Sequence, residues 1–346
     1  MRLVQSNQPT NSPLDLQQFS PTVAEPSLID LTIMVPVFNE YEMLEIFHNT
    51  LVEVLSGLTG IRSEVLYIND GSSDGSWALM QSLSNATCDV VSINLSRNFG
   101  KEAAMSAGFE HMRGDAVIIL DADLQDPPAL IPQMISQWRK GFDVVNMQRS
   151  NRLGESWFKR SCAHLFYRLL DKLSDAPIAK DVGDFRLLTR QVVETIKQMP
   201  ERNRYMKGIM SWPGFRQTTL SFERPARVAG ETKWSFIQLV GLAWAGITGF
   251  SAKPLRLATW LGGLVSLGAL AYGVFIFTST LIFGETVAGY PSMMLTILWL
   301  GGVQLLGIGL LGEYVGLIFT EAKARPLYIV MEKQQLAAQC RQASNG

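Results

Sequence analysis

The sequence predicts an α/β protein whose mostly parallel sheet is covered by helices on both faces and followed by an amphipathic helix and two membrane-length apolar segments. Three observations carry that expectation. Apolar, β-rich runs alternate with helix-like stretches through the first half of the chain; each of the first four runs ends in a polar cluster; and the last third is nearly free of charge.

The chain of 346 residues opens with a Pro-, Ser-, Gln- and Asn-rich stretch lacking an apolar core, so residues 1–28 read as a flexible polar tail and not a signal peptide. The runs then follow in order: "LTIMVPV" from Leu31, "EVLYIND" from Glu64, "DVVSINLS" from Asp89 and "AVIILDAD" from Ala116, with "FDVVNM" from Phe142 as a fifth. Strands spaced by helix-length segments imply βαβ units. The polar clusters "PVFNE", "NDGSSDGS", "LSRNFGK" and "DADLQDPP" come at the ends of the first four. In a parallel sheet the carboxyl ends of the strands lie along one edge, so the four clusters are expected to converge on one crevice. The sheet domain is expected over residues 29–232.

Beyond it, Phe236, Leu239, Val240, Ala243, Trp244, Ile247 and Phe250 recur at helical spacing, predicting an interfacial amphipathic helix over residues 233–253. Leu257–Phe283 and Thr286–Gly312 contain no charged residue, and each exceeds the roughly 20 residues that cross a bilayer. They predict a transmembrane hairpin within residues 254–320, with spans near 257–283 and 291–313, before a C-terminal segment over 321–346. Lys253 and Arg256 precede the hairpin and Lys323, Arg325 and Lys333 follow it, whereas its connection "GETVAGY" has no Lys or Arg. The positive-inside rule therefore puts both flanks and the sheet domain in the cytoplasm of a multi-pass inner (plasma) membrane protein. Glu313 falls where the second span is expected to emerge.

A net charge of −1 gives no argument for nucleic acid. The charge is uneven, however: Arg149 to Lys233 holds 17 Lys/Arg against 9 Asp/Glu, so this segment is expected to face something anionic, a phosphate or a lipid headgroup. The three cysteines and three histidines show no metal-ligand spacing.

Asp121 and Asp123 share parity in an extended segment, with Cα atoms roughly 7 Å apart. Two carboxylates on one side repel unless a cation lies between them, and hard oxygen donors suit Mg²⁺ or Mn²⁺. Gln125 keeps the same parity. Taken alone the pattern also fits a solvated strand end, and Asp126 with Pro127 and Pro128 reads as loop closure before a helix. Lys101 stands where a helix begins after "RNFG", a place to meet an anion. No Walker GxxxxGK is present.

The ordered set "VPVFNE", "NDGSSDGS", "LSRNFGKEAAMSAG", "DADLQDPP", "GDFRLL", "ERNRYMKG", "GETKWS", the two spans, "GEYVG" and "EAKARPLY" resembles the GT-A family 2 glycosyltransferases. The branch it resembles includes dolichol-phosphate mannose synthases and bacterial polyprenyl-phosphate (bactoprenol) glucosyltransferases, and the likeness runs from Leu31 to Tyr328. It implies a GT-A (Rossmann-like) domain and an inverting, metal-dependent transfer of a hexose from a nucleotide sugar, UDP-glucose above all, to a polyprenyl phosphate. Pro36, Asn39, Glu40, Asp70 and Lys101 would then bind the donor, with Lys233 reaching its diphosphate. Asp121, Asp123 and Gln125 would hold the metal, Asp123 also counting as catalytic. Asp184 matches a proposed general base, though a phosphate acceptor that is largely dianionic at pH 7 scarcely needs one; orienting the acceptor or Arg186 is the other reading. Arg149 and Arg160 match acceptor-phosphate positions, with Arg186, Arg204 and Lys207 as further candidates. Relatives of this type are homotetramers. Other donors (GDP-mannose, UDP-GlcNAc, a modified arabinose) and a non-catalytic membrane scaffold are the alternatives.

Overall fold

The computed structural model describes residues 29–83, 88–149, 182–202, 204, 206–223, 253–283 and 289–336. The expected tail, the interfacial helix over 233–253, Arg160 and Lys233 lie outside the described residues.

The strands are β1 (Leu31–Val37), β2 (Ser63–Asn69), β3 (Asp89–Leu95), β4 (Ala116–Ile119), β5 (Val144–Arg149), β6 (Val182–Thr189), β7 (Gln217–Phe222) and β8 (Val330–Leu336). They form one eight-stranded sheet in the order β7-β5-β6-β4-β1-β2-β3-β8. β1 pairs in parallel with both β2 and β4, and β2 with β3. Two strands run against the rest. β6 lies antiparallel between β4 and β5, and β8 lies antiparallel on β3. The fifth apolar run therefore joins the sheet as expected, but two strands away from β4, because β6 intervenes.

The helices are α1 (Tyr41–Ser56), α2 (Ser76–Ser82), α3 (Lys101–His111), α4 (Ile131–Arg139), α5 (Arg190–Lys197), α6 (Met206–Ser211), α7 (Lys253–Phe283) and α8 (Tyr290–Lys323). Alternation along the strands divides the core. Ile33, Val35 and Ile118 point to one face, where Leu44, Phe47 and Leu51 of α1 and Met134 of α4 cover them. Met34, Val117 and Ile119 point to the other, packed by Ala104 and Phe109 of α3, Val192 of α5 and Ile209 of α6. Both faces are thus dry, which is why these strands read as continuous apolar runs.

α7 and α8 are both long and apolar enough to cross a membrane. Their surfaces are bare: Leu264 is 69% and Leu306 76% exposed. Apolar area of that extent needs a nonaqueous cover. α8 runs on to Lys323, and Glu313 lies within it. The segment after it was expected only as a C-terminal stretch, yet it returns to the sheet as β8.

Candidate active site

The strand order places β1 between β4 and β2, with α1, which follows β1, on one face and α3, which leads into β4, on the other, so the order reverses at β1 and a crevice opens there. A cleft of about 280 Å³ occupies it, lined by Pro36, Phe38 and Glu40 after β1, Asp70 after β2, Asn98, Gly100 and Lys101 after β3, and Asp121 and Asp123 after β4. All four polar strand ends contribute, as the sequence leads one to expect.

The loops are braced to one another. Asn39 adopts φ 55°, and its Oδ1 accepts from the Ser73 N–H at 2.8 Å while its own N–H donates to Ser72 Oγ. Asp74 accepts from Tyr41 N–H at 3.0 Å and Ser76 from Glu40 N–H at 3.1 Å, so the first two clusters are laced together. Gly71, at φ +69°, sits where a Cβ would come within 2.4 Å of the Arg97–Asn98 backbone; only glycine fits where the second and third clusters meet. Asp70 then accepts from the N–H groups of Phe99 (2.8 Å) and Gly100 (2.9 Å), fixing the turn into α3. Burial pushes its carboxyl up, against the lowering effect of those two N–H groups and Arg97.

Sheet register brings the charged groups together. On the antiparallel pair β4–β6, Ala116 faces Thr189 and Ile119 faces Arg186. Continuing that register past β4 sets Asp184 across from Asp121. Lys101, in the first turn of α3, bridges them: its Nζ lies 2.6 Å from Asp121 Oδ1 and 2.7 Å from Asp184 Oδ2. Burial alone would lower the Lys101 ammonium, but the two carboxylates outweigh it and raise it above the ordinary lysine value. Asp184 responds inversely: burial would raise it, while Lys101, Lys207 and Arg186 hold it below the usual carboxylate range.

Glu102, which the sequence reading passed over, is the next carboxyl. Its Oε2 accepts from the Met206 N–H at 3.1 Å, tying α3 to α6. Burial, then repulsion from Asp184, pushes it up to about 7, despite Met206, Lys101 and Lys207. Only its place directly after Lys101 in "FGKE" signalled it.

The oxygen set fits a hard divalent cation. Asp121 is a third exposed to the cleft and Asp123 lines it. Asp123 Oδ1 also accepts from the Gln125 N–H at 3.0 Å, and Gln125 Oε1 is buried with no hydrogen-bond partner among the described residues. No group of three or more His, Cys, Asp or Glu placed to hold a metal ion by itself occurs among the described residues. Two carboxylates completed by water and phosphate oxygens are what Mg²⁺ commonly takes.

Asn39, Arg186 and Arg204 are drawn away from the cleft by other partners. Asn39 does not line the cleft; its amide is used to brace the second loop. Arg186 is 3% exposed and donates to the Gly183 carbonyl at 2.8 Å, so it acts on Asp184 from within the sheet. Arg204 lies in a different cleft, beyond α3, beside Arg202 and Tyr328. Arg149 stays close to the site, its Nη2 3.3 Å from where a Cβ of Gly183 would stand.

A sheet so wound, opening acidic strand ends and a lysine onto a crevice at the β1/β4 switch, is the frame of a glycosyltransferase domain. The pattern described as Glycosyl transferase family 2 matches residues 32–197, and that of the GtrB C-terminal hairpin matches residues 253–318. The chain belongs to glycosyl transferase family 2. It is 46% identical over 300 residues to a prophage bactoprenol glucosyl transferase homolog of Escherichia coli (strain K12), covering 87% of this chain and 98% of the relative. To the bactoprenol glucosyl transferase of Shigella phage SfV it is 46% identical over 305 residues, 88% of this chain and 99% of the other. An uncharacterized glycosyltransferase of Synechocystis sp. is 45% identical over 304 residues, 88% and 95% of the two chains. Among solved structures, glucosyl-3-phosphoglycerate synthase from Mycobacterium tuberculosis aligns with a TM-score of 0.43 at 15% identity, over 64% of this chain and 78% of the other. A likeness that distant says nothing about ligands here.

Proposed function

We propose that the protein transfers glucose from UDP-glucose to undecaprenyl phosphate, with inversion at the anomeric carbon, on the cytoplasmic face of the plasma membrane. The observation that carries this reading is near-full-length identity, hairpin included, with proteins named bactoprenol glucosyl transferases.

The residues divide the work. An oxygen of the lipid phosphate attacks the anomeric carbon, the bond from that carbon to the diphosphate breaks, and UDP departs. Pro36, Glu40 and Asp70 shape the nucleotide end of the cleft. Asp121, Asp123 and Gln125 would hold Mg²⁺ or Mn²⁺, which supplies positive charge to the departing diphosphate. Lys101, beside Asp121, donates to the oxygens of the same diphosphate, and Lys233 joins it. Lys207, Arg149 and Arg160 meet the acceptor phosphate. Asp184, held low by its cations, is a poor base; it orients Lys101 and the acceptor. The phosphate monoester is mostly dianionic at pH 7 and needs no proton removed.

In this reading the catalytic domain spans residues 29–232 and the hairpin 254–320 is covered by lipid, with a homo-oligomer as the working assembly. The test is incubation of membranes holding the protein with labelled UDP-glucose and undecaprenyl phosphate, with and without EDTA. Lipid-linked label that EDTA abolishes is expected. Label only from GDP-mannose or UDP-GlcNAc would reassign the donor, and none from any common nucleotide sugar would sink the reading.

A further inference from the structure

The second cleft, about 380 Å³, lies across α3 from the transfer site and has two unlike walls. One is basic, with Lys197, Arg202 and Arg204; the other is Leu327 and Tyr328 of the strap that leaves α8. The walls are tied together: the Arg202 N–H donates to Glu321 Oε1 at 2.8 Å, and its guanidinium donates to the Arg325 carbonyl. The strap is therefore held against the cleft only a few residues beyond the membrane-length part of α8, which ends at Lys323.

The residues that line the cleft carry three cations, Lys197, Arg202 and Arg204, against one carboxylate, Glu110. Lys197 is matched by Glu110 at 3.4 Å and Glu194 at 3.2 Å. Arg204 spends its fork on the carbonyls of Met199 (3.1 Å) and Glu201 (3.2 Å) and the Ser106 hydroxyl, neutral partners all. Burial lowers Arg204 below the ordinary arginine value, and the neighbouring Arg202 adds to this against Glu201, Glu110 and Tyr328. A half-buried arginine beside a second arginine, whose hydrogen bonds go only to neutral acceptors, is a place where a further anion is favourable.

The chemistry of that anion follows from the walls. The cleft lining contains one carboxylate, Glu110, so a metal-bearing diphosphate does not suit it. An amphiphile carrying one phosphate does: the arginines take the phosphate, and Leu327, Tyr328 and the apolar flank take the glycerol and the first methylenes. We propose that this cleft binds the phosphate headgroup of an anionic membrane phospholipid and so seats the catalytic domain against the bilayer, a role separate from acceptor binding. The seating part rests on the membrane reading of α7 and α8.

The test uses the purified full chain in neutral detergent with dihexanoyl-phosphatidylglycerol, a water-soluble short-chain lipid, as probe. Dihexanoyl-phosphatidylcholine and inorganic phosphate are the comparison ligands. Saturable binding of the anionic lipid is expected, weakened roughly tenfold by Arg204→Gln. Arg204→Lys should restore much of it, and Lys101→Gln, in the other cleft, should leave it unchanged. Equal binding by Arg204→Gln and the native chain overturns the proposal, as does equal binding of the zwitterionic lipid. Displacement by equimolar phosphate overturns the lipid assignment in favour of a soluble anion. The probe needs no bilayer, so alkaline extraction of membranes tests the spanning reading separately: release of the chain would remove the seating role and leave the headgroup site standing.

Discussion

The two ends of the sheet use the same device, a cation between two carboxylates, to opposite purpose. At the amino ends, Arg113 bridges Glu64 at 2.5 Å and Asp89 at 3.0 Å. There the acids are 0% and 2% exposed, and Glu64 also accepts from Thr32 Oγ1 (2.6 Å) and the Arg113 N–H (2.7 Å). At the carboxyl ends, Lys101 bridges Asp121 and Asp184, which are 33% and 19% exposed. The rear triad is closed by backbone and hydroxyl donors and holds β1, β2 and β3 to the turn before β4. The front triad opens onto a cleft and leaves oxygens for a ligand. The difference lies in the remaining partners and not in the residue types, which is why a charged cluster alone does not identify a site.

The sharpest way to break this comparison is to mutate each triad and watch which property fails. Asp121→Asn is expected to lower transfer roughly 10²–10³-fold, as for loss of one transition-state charge contact. Its thermal unfolding midpoint should stay within a few degrees of the native value. Glu64→Gln should do the reverse: breaking a buried, hydrogen-bonded acid costs about 3 kcal/mol of stability. Specific activity of the remaining folded protein should hold. If Glu64→Gln lost activity at unchanged stability, the division between the two ends would fail.

A smaller effect sharpens the role of Asp184. As an orienting group, Asp184→Asn should reduce activity roughly tenfold and evenly from pH 6 to 9. A native pH–rate profile with an acid limb that Asp184→Asn abolishes, its deficit shrinking towards low pH, would make it a base after all.

The sheet's central half was legible because local pattern decides it. β1 to β4 are apolar runs covered on both faces, and their ends carry the polar clusters. The later strands were not, because their pairing is non-local. β8 reads "VMEKQQL", polar enough for a loop, and becomes a strand only by lying along β3. β6 was met only as the "GDFRLL" motif, and its insertion between β4 and β5 is what sets Asp184 opposite Asp121. The surroundings of Asn39 and Arg204 were illegible for a related reason: a polar residue near a motif can point to the ligand or to the loop beside it, and sequence spacing does not distinguish the two.

Glu102 gives the mildest and most particular test, since nothing in the rear triad resembles it. Its folded-state value of about 7 lies above the ordinary 4.5. Between those values the unfolded chain has released a proton that the folded chain keeps, so the stabilising effect of neutral Glu102 is full below pH 4.5 and lost as pH rises through 7. Allowing for partial exposure, the loss is about 2 kcal/mol. Glu102→Gln cannot ionise, so its stability should decline less than that of the native chain across this interval, read by urea unfolding at several pH values. Parallel curves for the two proteins would mean that Glu102 titrates normally, and that the contact with Met206 holds α3 to α6 as an ordinary charged hydrogen bond.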